Sequence, residues 1–556
     1  MRELIKSGTS FFTRRQTNIL SAAFIIMVTY AVSHLIGLLK TRILIDVFFG
    51  SKSSLLDVYY AAFVIPDTLF QLLVIGSLSA AFIPVFTRIL GQKDDKAWYV
   101  AGTSLNLVLL IFIIISLVIY IIAGPLSKLI APGFNPVQIS TMASLLRVML
   151  IAQIFFCISG FLTGIIQSHQ RFLIPALAPV VYNLGIIAGT IFLSPALGIY
   201  GPAIGVVIGA ALHMGIQLPL AFSLGFRFVP SLNWRFPEVK EIIRLMSPRA
   251  LSLGIDQIEQ FVAVILCSLL VSGSLTIFNV ARLLYALPAS LFGVTIGQAA
   301  LPALSRESSE TDKKRFRQTI ISSLAQIAFL SLPVSTLFIV LRIPIVRLVF
   351  GAKSFPWLAT IITGKTLAIL AFSATFSAMV QLIIRGFYAL HDTKTPLTVG
   401  LFAALFDVTL GIILVKVFNF GVYGLASAIS ITSILETSIL FMLLYPRLHA
   451  DSVFLIRTAS SFIKMVIASA ITGLSLWLPM RLLDQFVFDT TRTIPLIGLS
   501  LTTSLIGFSV YLLLSYFFRV EELGSFVVLL KRLEKWRHIL LPQSKEPLIV
   551  PAPEQN

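Results

Sequence analysis

Apolar stretches long enough to cross a lipid bilayer recur along nearly the whole chain, and nothing else in the sequence limits its fold as severely. A spanning helix needs about 20 mainly apolar residues, the number that carries a backbone across a hydrocarbon core of ~30 Å. By that measure there are fourteen spans, at 19–49, 57–90, 97–123, 140–168, 172–195, 199–224, 246–272, 275–303, 316–341, 357–387, 394–418, 421–446, 461–485 and 493–518. Lipid offers no hydrogen bonds to an open backbone, so such runs predict helices. The expected fold class is an all-α polytopic membrane protein. With 57% hydrophobic and 12% charged residues, the composition excludes a water-soluble globule. The run after Arg2, Lys6, Arg14 and Arg15 is too long for a signal peptide and lacks a small-residue cleavage site, which makes it a retained first span.

In a soluble chain a net charge of +18 would point to nucleic acid. In a membrane chain, Lys and Arg instead mark the loops held on the cytoplasmic side. With the N-terminus taken as inside, every second connection is basic: Arg88, Lys93 and Lys96 after span two, Arg227, Arg235, Lys240, Arg244 and Arg249 around the sixth connection, and Arg306, Lys313, Lys314, Arg315 and Arg317 after span eight. An even number of spans leaves both termini cytoplasmic. Membrane lipids are the expected surroundings, and nucleic acid is not an expected partner. Phe236 to Met246 has an amphipathic pattern suited to the membrane surface, Glu521 to Leu541 has another, and Pro542 to Asn556 reads as a disordered tail.

The chain also repeats itself. Pro84-Val85-Phe86-Thr87-Arg88 matches Pro302-Ala303-Leu304-Ser305-Arg306, Gly164 with His169 matches Gly386 with His391, and Gly198-Ile199-Tyr200-Gly201-Pro202-Ala203 matches Gly421-Val422-Tyr423-Gly424-Leu425-Ala426, at offsets of 218, 222 and 223. Six spans separate the members of each pair. Because six is even, both copies run in the same direction, which predicts two parallel six-helix lobes related by a pseudo-two-fold axis along the membrane normal, a transporter arrangement. Spans thirteen and fourteen lie outside the repeat.

Ionisable groups inside spans are costly and by default face a cavity or one another. Lys40, Arg42, Arg147, Arg282 and Lys365 are left at or near membrane depth. Arg282 in span eight is a candidate anion ligand, since a planar guanidinium suits phosphate; the plainer reading is a buried ion pair. His34 and Lys40 in span one are candidates beside it, although His34 equally suits packing, and Lys40 and Arg42 sit near enough to the outer end to snorkel. Asp67 and Gln71 in span two are candidate cavity groups. Asp256 and Glu259 share a face of span seven and, with Asp407 of span eleven, form a candidate site for a coupling Na+ or H+; neutralisation by cations across the cavity is the plainer reading. No cofactor is expected, because Cys157 and Cys267 supply neither a disulfide framework nor a zinc site. The absence of Walker A, HExxH and GxSxG signatures argues against an enzyme.

A wider resemblance contains these residues. It runs through Ser33-His34-Leu35-Ile36-Gly37-Leu38-Leu39-Lys40, Asp57-Val58-Tyr59-Tyr60-Ala61-Ala62-Phe63-Val64-Ile65-Pro66-Asp67, Pro179-Val180-Val181-Tyr182-Asn183 and Ala281-Arg282-Leu283. Its most specific piece is Gly386-Phe387-Tyr388-Ala389-Leu390-His391-Asp392-Thr393-Lys394-Thr395-Pro396. Across spans one to twelve the chain resembles the MviN/MurJ lipid II flippases, of the multidrug/oligosaccharidyl-lipid/polysaccharide exporter superfamily. The resemblance implies two six-helix lobes plus two further helices. It implies movement of undecaprenyl-diphosphate-linked disaccharide-pentapeptide from the inner to the outer leaflet of the bacterial cytoplasmic membrane. It also implies cavity arginines on the diphosphate, a groove for the polyprenyl tail on spans thirteen and fourteen, and a sodium site on spans seven, eleven and twelve. The sequence departs from the family pattern at His34 and Lys40, where arginines are usual, at Phe70-Gln71 in place of an Arg-Arg pair, and at Ile75 in place of glutamate, while the span-eight arginine is retained as Arg282.

The expected organisation is an N-terminal lobe at 1–224, an amphipathic linker at 225–245, a C-terminal lobe at 246–446, two tail-binding spans at 447–520, and a cytoplasmic helix and tail at 521–556. The expected function is lipid II translocation by alternating access, with Arg282 and Lys40 gripping the diphosphate and His34 assisting. The cell-wall synthesis machinery is an expected partner. A same-fold exporter of another polyprenyl-linked glycan, a drug/cation antiporter, and a non-transporting membrane scaffold are the alternatives.

Overall fold

A computed structural model describes residues 19–526 apart from 51–52, 76–80, 91–93, 309–312, 352–354, 449–451, 490–491 and 525. The tail and most of the amphipathic stretch from Glu521 lie outside those residues. Among the described residues the chain is helical throughout, with no strand. The principal helices are α1 (Ile19–Phe48), α2 (Ser53–Phe70), α3 (Asp94–Ile121), α4 (Pro136–Ser168), α5 (Leu173–Ala188), α6 (Tyr200–Gly215), α7 (Pro237–Ser268), α8 (Ser274–Pro288), α9 (Lys314–Val340), α10 (Trp357–Ala371), α11 (Lys394–Ile412), α12 (Val422–Leu444), α13 (Ser452–Phe486) and α14 (Thr493–Phe517). Among the described residues eleven helical stretches are long and apolar enough to cross a membrane, or twelve if α10 and Ala374–Ala389, bent by 43°, form one span. The chain is therefore an integral, multi-pass membrane protein. α1 and α7, the other two expected spans, contain stretches whose side chains are not described.

Local sequence sets the helix ends. At α4, the Asn135 side chain accepts from the Gln138 N–H at 2.9 Å and the Gln138 side chain accepts from the Asn135 N–H at 2.8 Å. Pro136 fills the first helical position, where no N–H is needed. The amphipathic stretch expected as a separate linker is continuous with the membrane helix, since α7 runs unbroken from Pro237. Two ion pairs fix its first turns to the first half of the chain, Arg88–Glu241 at 2.5 Å and Lys96–Glu238 at 2.5 Å.

Irregular backbone recurs at the spacing of the sequence repeat. Left-handed residues pair as Gly50 and Gly273 (φ 93° in both), Gln170 and His391 (57° and 59°), and Gly198 and Gly421 (57° in both). Wide π-helical turns pair as Gln71–Ile75 with Ala289–Val294, and Gly189–Leu193 with Ile413–Val417.

Packing within the first half is closest between α5 and α6. A side chain at Gly185 would stand 2.4 Å from the Gly209 Cα, and one at Gly189 would stand 2.5 Å from the Gly205 Cα. Lipid tails are as apolar as leucine, so helices in a bilayer associate through such backbone-to-backbone contact. We expect Gly189→Leu to overpack this seam by about 1–3 kcal/mol and lower the thermal midpoint of the detergent-solubilised protein. Gly215→Ala, with nothing within 4 Å of the new carbon, should leave that midpoint unchanged.

Candidate functional site

Helices from both halves of the chain meet around Lys40 and Arg282. The cavity between them has a volume of about 230 Å³, with Lys40 and Thr41 from α1, Tyr60, Phe63 and Val64 from α2, Gln260, Ala263 and Val264 from α7, and Asn279, Arg282 and Leu283 from α8 among its walls. The liners on α2 and α8 fall three or four residues apart, one face of each helix. Both cations are half-buried. Neither forms a hydrogen bond or ion pair with another side chain among the described residues. Two cations at one small membrane cavity suit an anion.

The end away from the basic loops is closed by groups exchanged between the two halves. The buried Asp57 carboxylate of α2 accepts from the Gly273 N–H at 2.6 Å, the Thr276 N–H at 2.8 Å and the Thr276 hydroxyl at 2.7 Å. It thereby caps the N-terminus of α8, whose first N–H groups have no partner within the helix. Gly273 must be glycine twice over: its φ is 93°, and a side chain there would meet the Phe49 ring at 3.1 Å. The Ser53 and Ser272 hydroxyls lie 3.1 Å apart beside this cap. Arg42 does not snorkel; it donates to the carbonyls of Leu348 at 3.0 Å and Gly351 at 3.2 Å, closing the C-terminus of the helix Arg342–Phe350. Towards the basic end, the Thr68 hydroxyl donates to the Gln257 side chain at 3.1 Å, linking α2 to α7 one turn beyond the cavity liners Val64 and Gln260.

The sequence candidates distribute around this centre. Lys40 and Arg282 come together, whereas His34 lies on an exposed stretch of α1 and is not among the cavity liners. Asp67 and Gln71 continue the α2 face that carries Tyr60, Phe63 and Val64. Asp407 on α11 is buried and lies within electrostatic reach of Glu259 on α7 and Arg282 on α8. The Asp256 side chain falls outside the described residues. Among the described residues no group of three His, Cys, Asp or Glu is placed to hold a metal ion. The roles of Asp57, Arg42 and Gln257 were not read from the sequence, because each depends on a partner far along the chain.

If the Asp57 cap holds the closed end, Asp57→Leu should loosen it. A cysteine at position 279 should then react about tenfold faster with a membrane-impermeant thiol reagent added from that side, the change expected for losing one charge-assisted hydrogen bond. The two native cysteines are buried and should stay silent; unchanged labelling would count against the cap as a closure.

Comparison with known proteins agrees with this architecture. The family model "Lipid II flippase MurJ" matches residues 45–495. A probable lipid II flippase MurJ of Thermotoga maritima is 29% identical over 496 residues, 88% of this chain and 95% of that protein. One from Vibrio cholerae is 26% identical over 476 residues, 83% of this chain and 89% of that protein. A solved lipid II flippase MurJ in an inward closed conformation superposes with a TM-score of 0.75 at 24% identity, covering 89% of this chain and 99% of that one. An inward-facing multidrug resistance MATE family transporter of the MOP superfamily superposes with a TM-score of 0.62 at 16% identity, covering 76% of this chain and 98% of that one. These two superpositions speak to the fold, and the family model, spanning most of the sequence, speaks to descent: the chain belongs to the lipid II flippase MurJ family.

Proposed function

We infer that this chain carries lipid II, an undecaprenyl-diphosphate-linked peptidoglycan precursor, from the inner to the outer leaflet of the bacterial cytoplasmic membrane by alternating access. The observation that carries the reading is the pair of cations, Lys40 and Arg282, lining one cavity between the two halves of the chain. A cavity of about 230 Å³ is small beside a disaccharide-peptide head group. Loading and release then require the cavity to open in turn to either side.

The remaining assignments belong to the same reading. Fourteen spans form an N-terminal lobe (1–224) and a C-terminal lobe (246–446) joined through 225–245, with both termini cytoplasmic; the recurrence of left-handed residues and π-turns at the repeat spacing supports this division. Spans thirteen and fourteen (447–520) take the polyprenyl tail. His34, two turns along α1 from Thr41 on the same face, meets the diphosphate at a neighbouring stage of the path. The membrane potential or a coupled cation, Na+ or H+, drives transport, with Asp256, Glu259 and Asp407 as the acids through which a cation would act; the electrostatic contact between Asp407 and Arg282 supports a link between cation and substrate. The cell-wall synthesis machinery is the partner that receives the product.

Arg282→Ala is expected to abolish rescue of a strain depleted of its lipid II flippase while the variant inserts normally, and Arg282→Lys to rescue in part, since lysine keeps the charge but not the two-pronged geometry. Lys40→Ala should weaken binding of lipid II to the purified protein by about tenfold. Full rescue by Arg282→Ala would sink the reading. A cysteine at 34 or 282 that no water-soluble thiol reagent reaches would favour a scaffold without a hydrated path.

A further inference from the structure

Resting on the lipid II reading, we propose that Asp67 recognises a protonated primary amine on the head group of the lipid-linked substrate, which makes the transport path dipolar, with cations for the diphosphate and a carboxylate for the amine.

Asp67 follows the cavity liners Phe63 and Val64 by four and three residues on α2, which puts it on their face and about 5 Å further towards the basic end. Its neighbour Thr68 bonds to Gln257 of α7, so Asp67 stands at the level where α2 and α7 are joined just beyond the cavity. This is where a head group trailing from a diphosphate bound at Lys40 and Arg282 would pass.

Asp67 is half-buried and forms no ion pair among the described residues. Its polar neighbours are the Gln71 side chain and the Tyr182 phenol, neither of which carries charge. The cavity cations do not serve it: Arg282 lies within reach of Asp407, and Lys40 forms no pair. A carboxylate kept at membrane depth without a cationic side chain is costly unless something transient supplies the countercharge.

The donor set fits an ammonium better than a metal ion. A carboxylate, an amide oxygen and a phenol oxygen offer acceptors to the three N–H donors of a protonated amine. A metal ion would need several more oxygen ligands, and no cluster of metal-ligating side chains is present among the described residues.

The test measures binding of three lipids to the full-length protein in nanodiscs: undecaprenyl diphosphate, a glycopeptide-bearing undecaprenyl diphosphate with a free peptide amine, and the same lipid N-acetylated at that amine. The wild type should bind the free amine about tenfold more tightly than the acetylated lipid, the discrimination that one charge-assisted hydrogen bond supports. In Asp67→Asn, which keeps the shape of the side chain, the ratio of the two affinities should fall to about one. Equal affinities in the wild type overturn the proposal without reference to any variant, and so does a ratio that Asp67→Asn leaves unchanged, the result expected if Asp67 serves a coupling cation or packing alone. Undecaprenyl diphosphate separates the two levels of inference: if none of the three lipids binds, the lipid II reading itself fails, whereas binding without discrimination removes only the role of Asp67.

Discussion

One buried carboxylate sets the geometry on which the rest depends. The first turn of α8 presents N–H groups that no residue of α8 can satisfy, and Asp57, more than two hundred residues earlier, accepts from two of them and from the Thr276 hydroxyl. A helix whose cap is supplied by a distant segment cannot complete itself alone. Its depth in the bundle is fixed by α2, and with it the depth of Arg282, about two and a half turns beyond Gly273. The position of that guanidinium opposite Lys40 is thus a consequence of a hydrogen bond made elsewhere.

The cavity follows from what the four helices leave open once they are pinned. Close glycine packing draws α5 onto α6, while α1, α2, α7 and α8 stand apart enough to enclose a small volume between the chain's two halves. A charge at mid-depth costs on the order of 2.5–3.5 kcal/mol, so such residues face a cavity or one another rather than lipid. Asp407, within electrostatic reach of Arg282, tempers that charge without lining the cavity.

The helices were legible in the sequence because the bilayer leaves a chain no other way to satisfy its backbone, so runs such as 97–123 and 493–518 translate directly into α3 and α14. Lys40 and Arg282 were legible for a related reason: a charge inside a span stands out against its surroundings. What the sequence withheld is partner choice across long separations. Arg42 has the position of a snorkelling residue, and only the fold brings it to the end of the helix Arg342–Phe350. Asp57 reads as one more acid near a helix start until Gly273 and Thr276 are placed beside it. An amphipathic pattern reports a surface and not a break, and Pro237 opens one helix that runs on to Ser268.

The two ends of the molecule are held by different materials. At the basic end the first turns of α7 are tied down by ion pairs open to solvent, with Arg88 at 57% and Glu241 at 39% side-chain exposure. At the other end the tie is a carboxylate at 3% exposure, bonded to backbone. Mobile ions weaken pairs of solvent-exposed charges and screen a buried group far less. Dissolved salt therefore acts more on one fastening than on the other, so the ionic strength of the surrounding solution bears on the two mouths of the path unequally. A sidedness that looks like a matter of topology is written a second time into how each end answers its solvent.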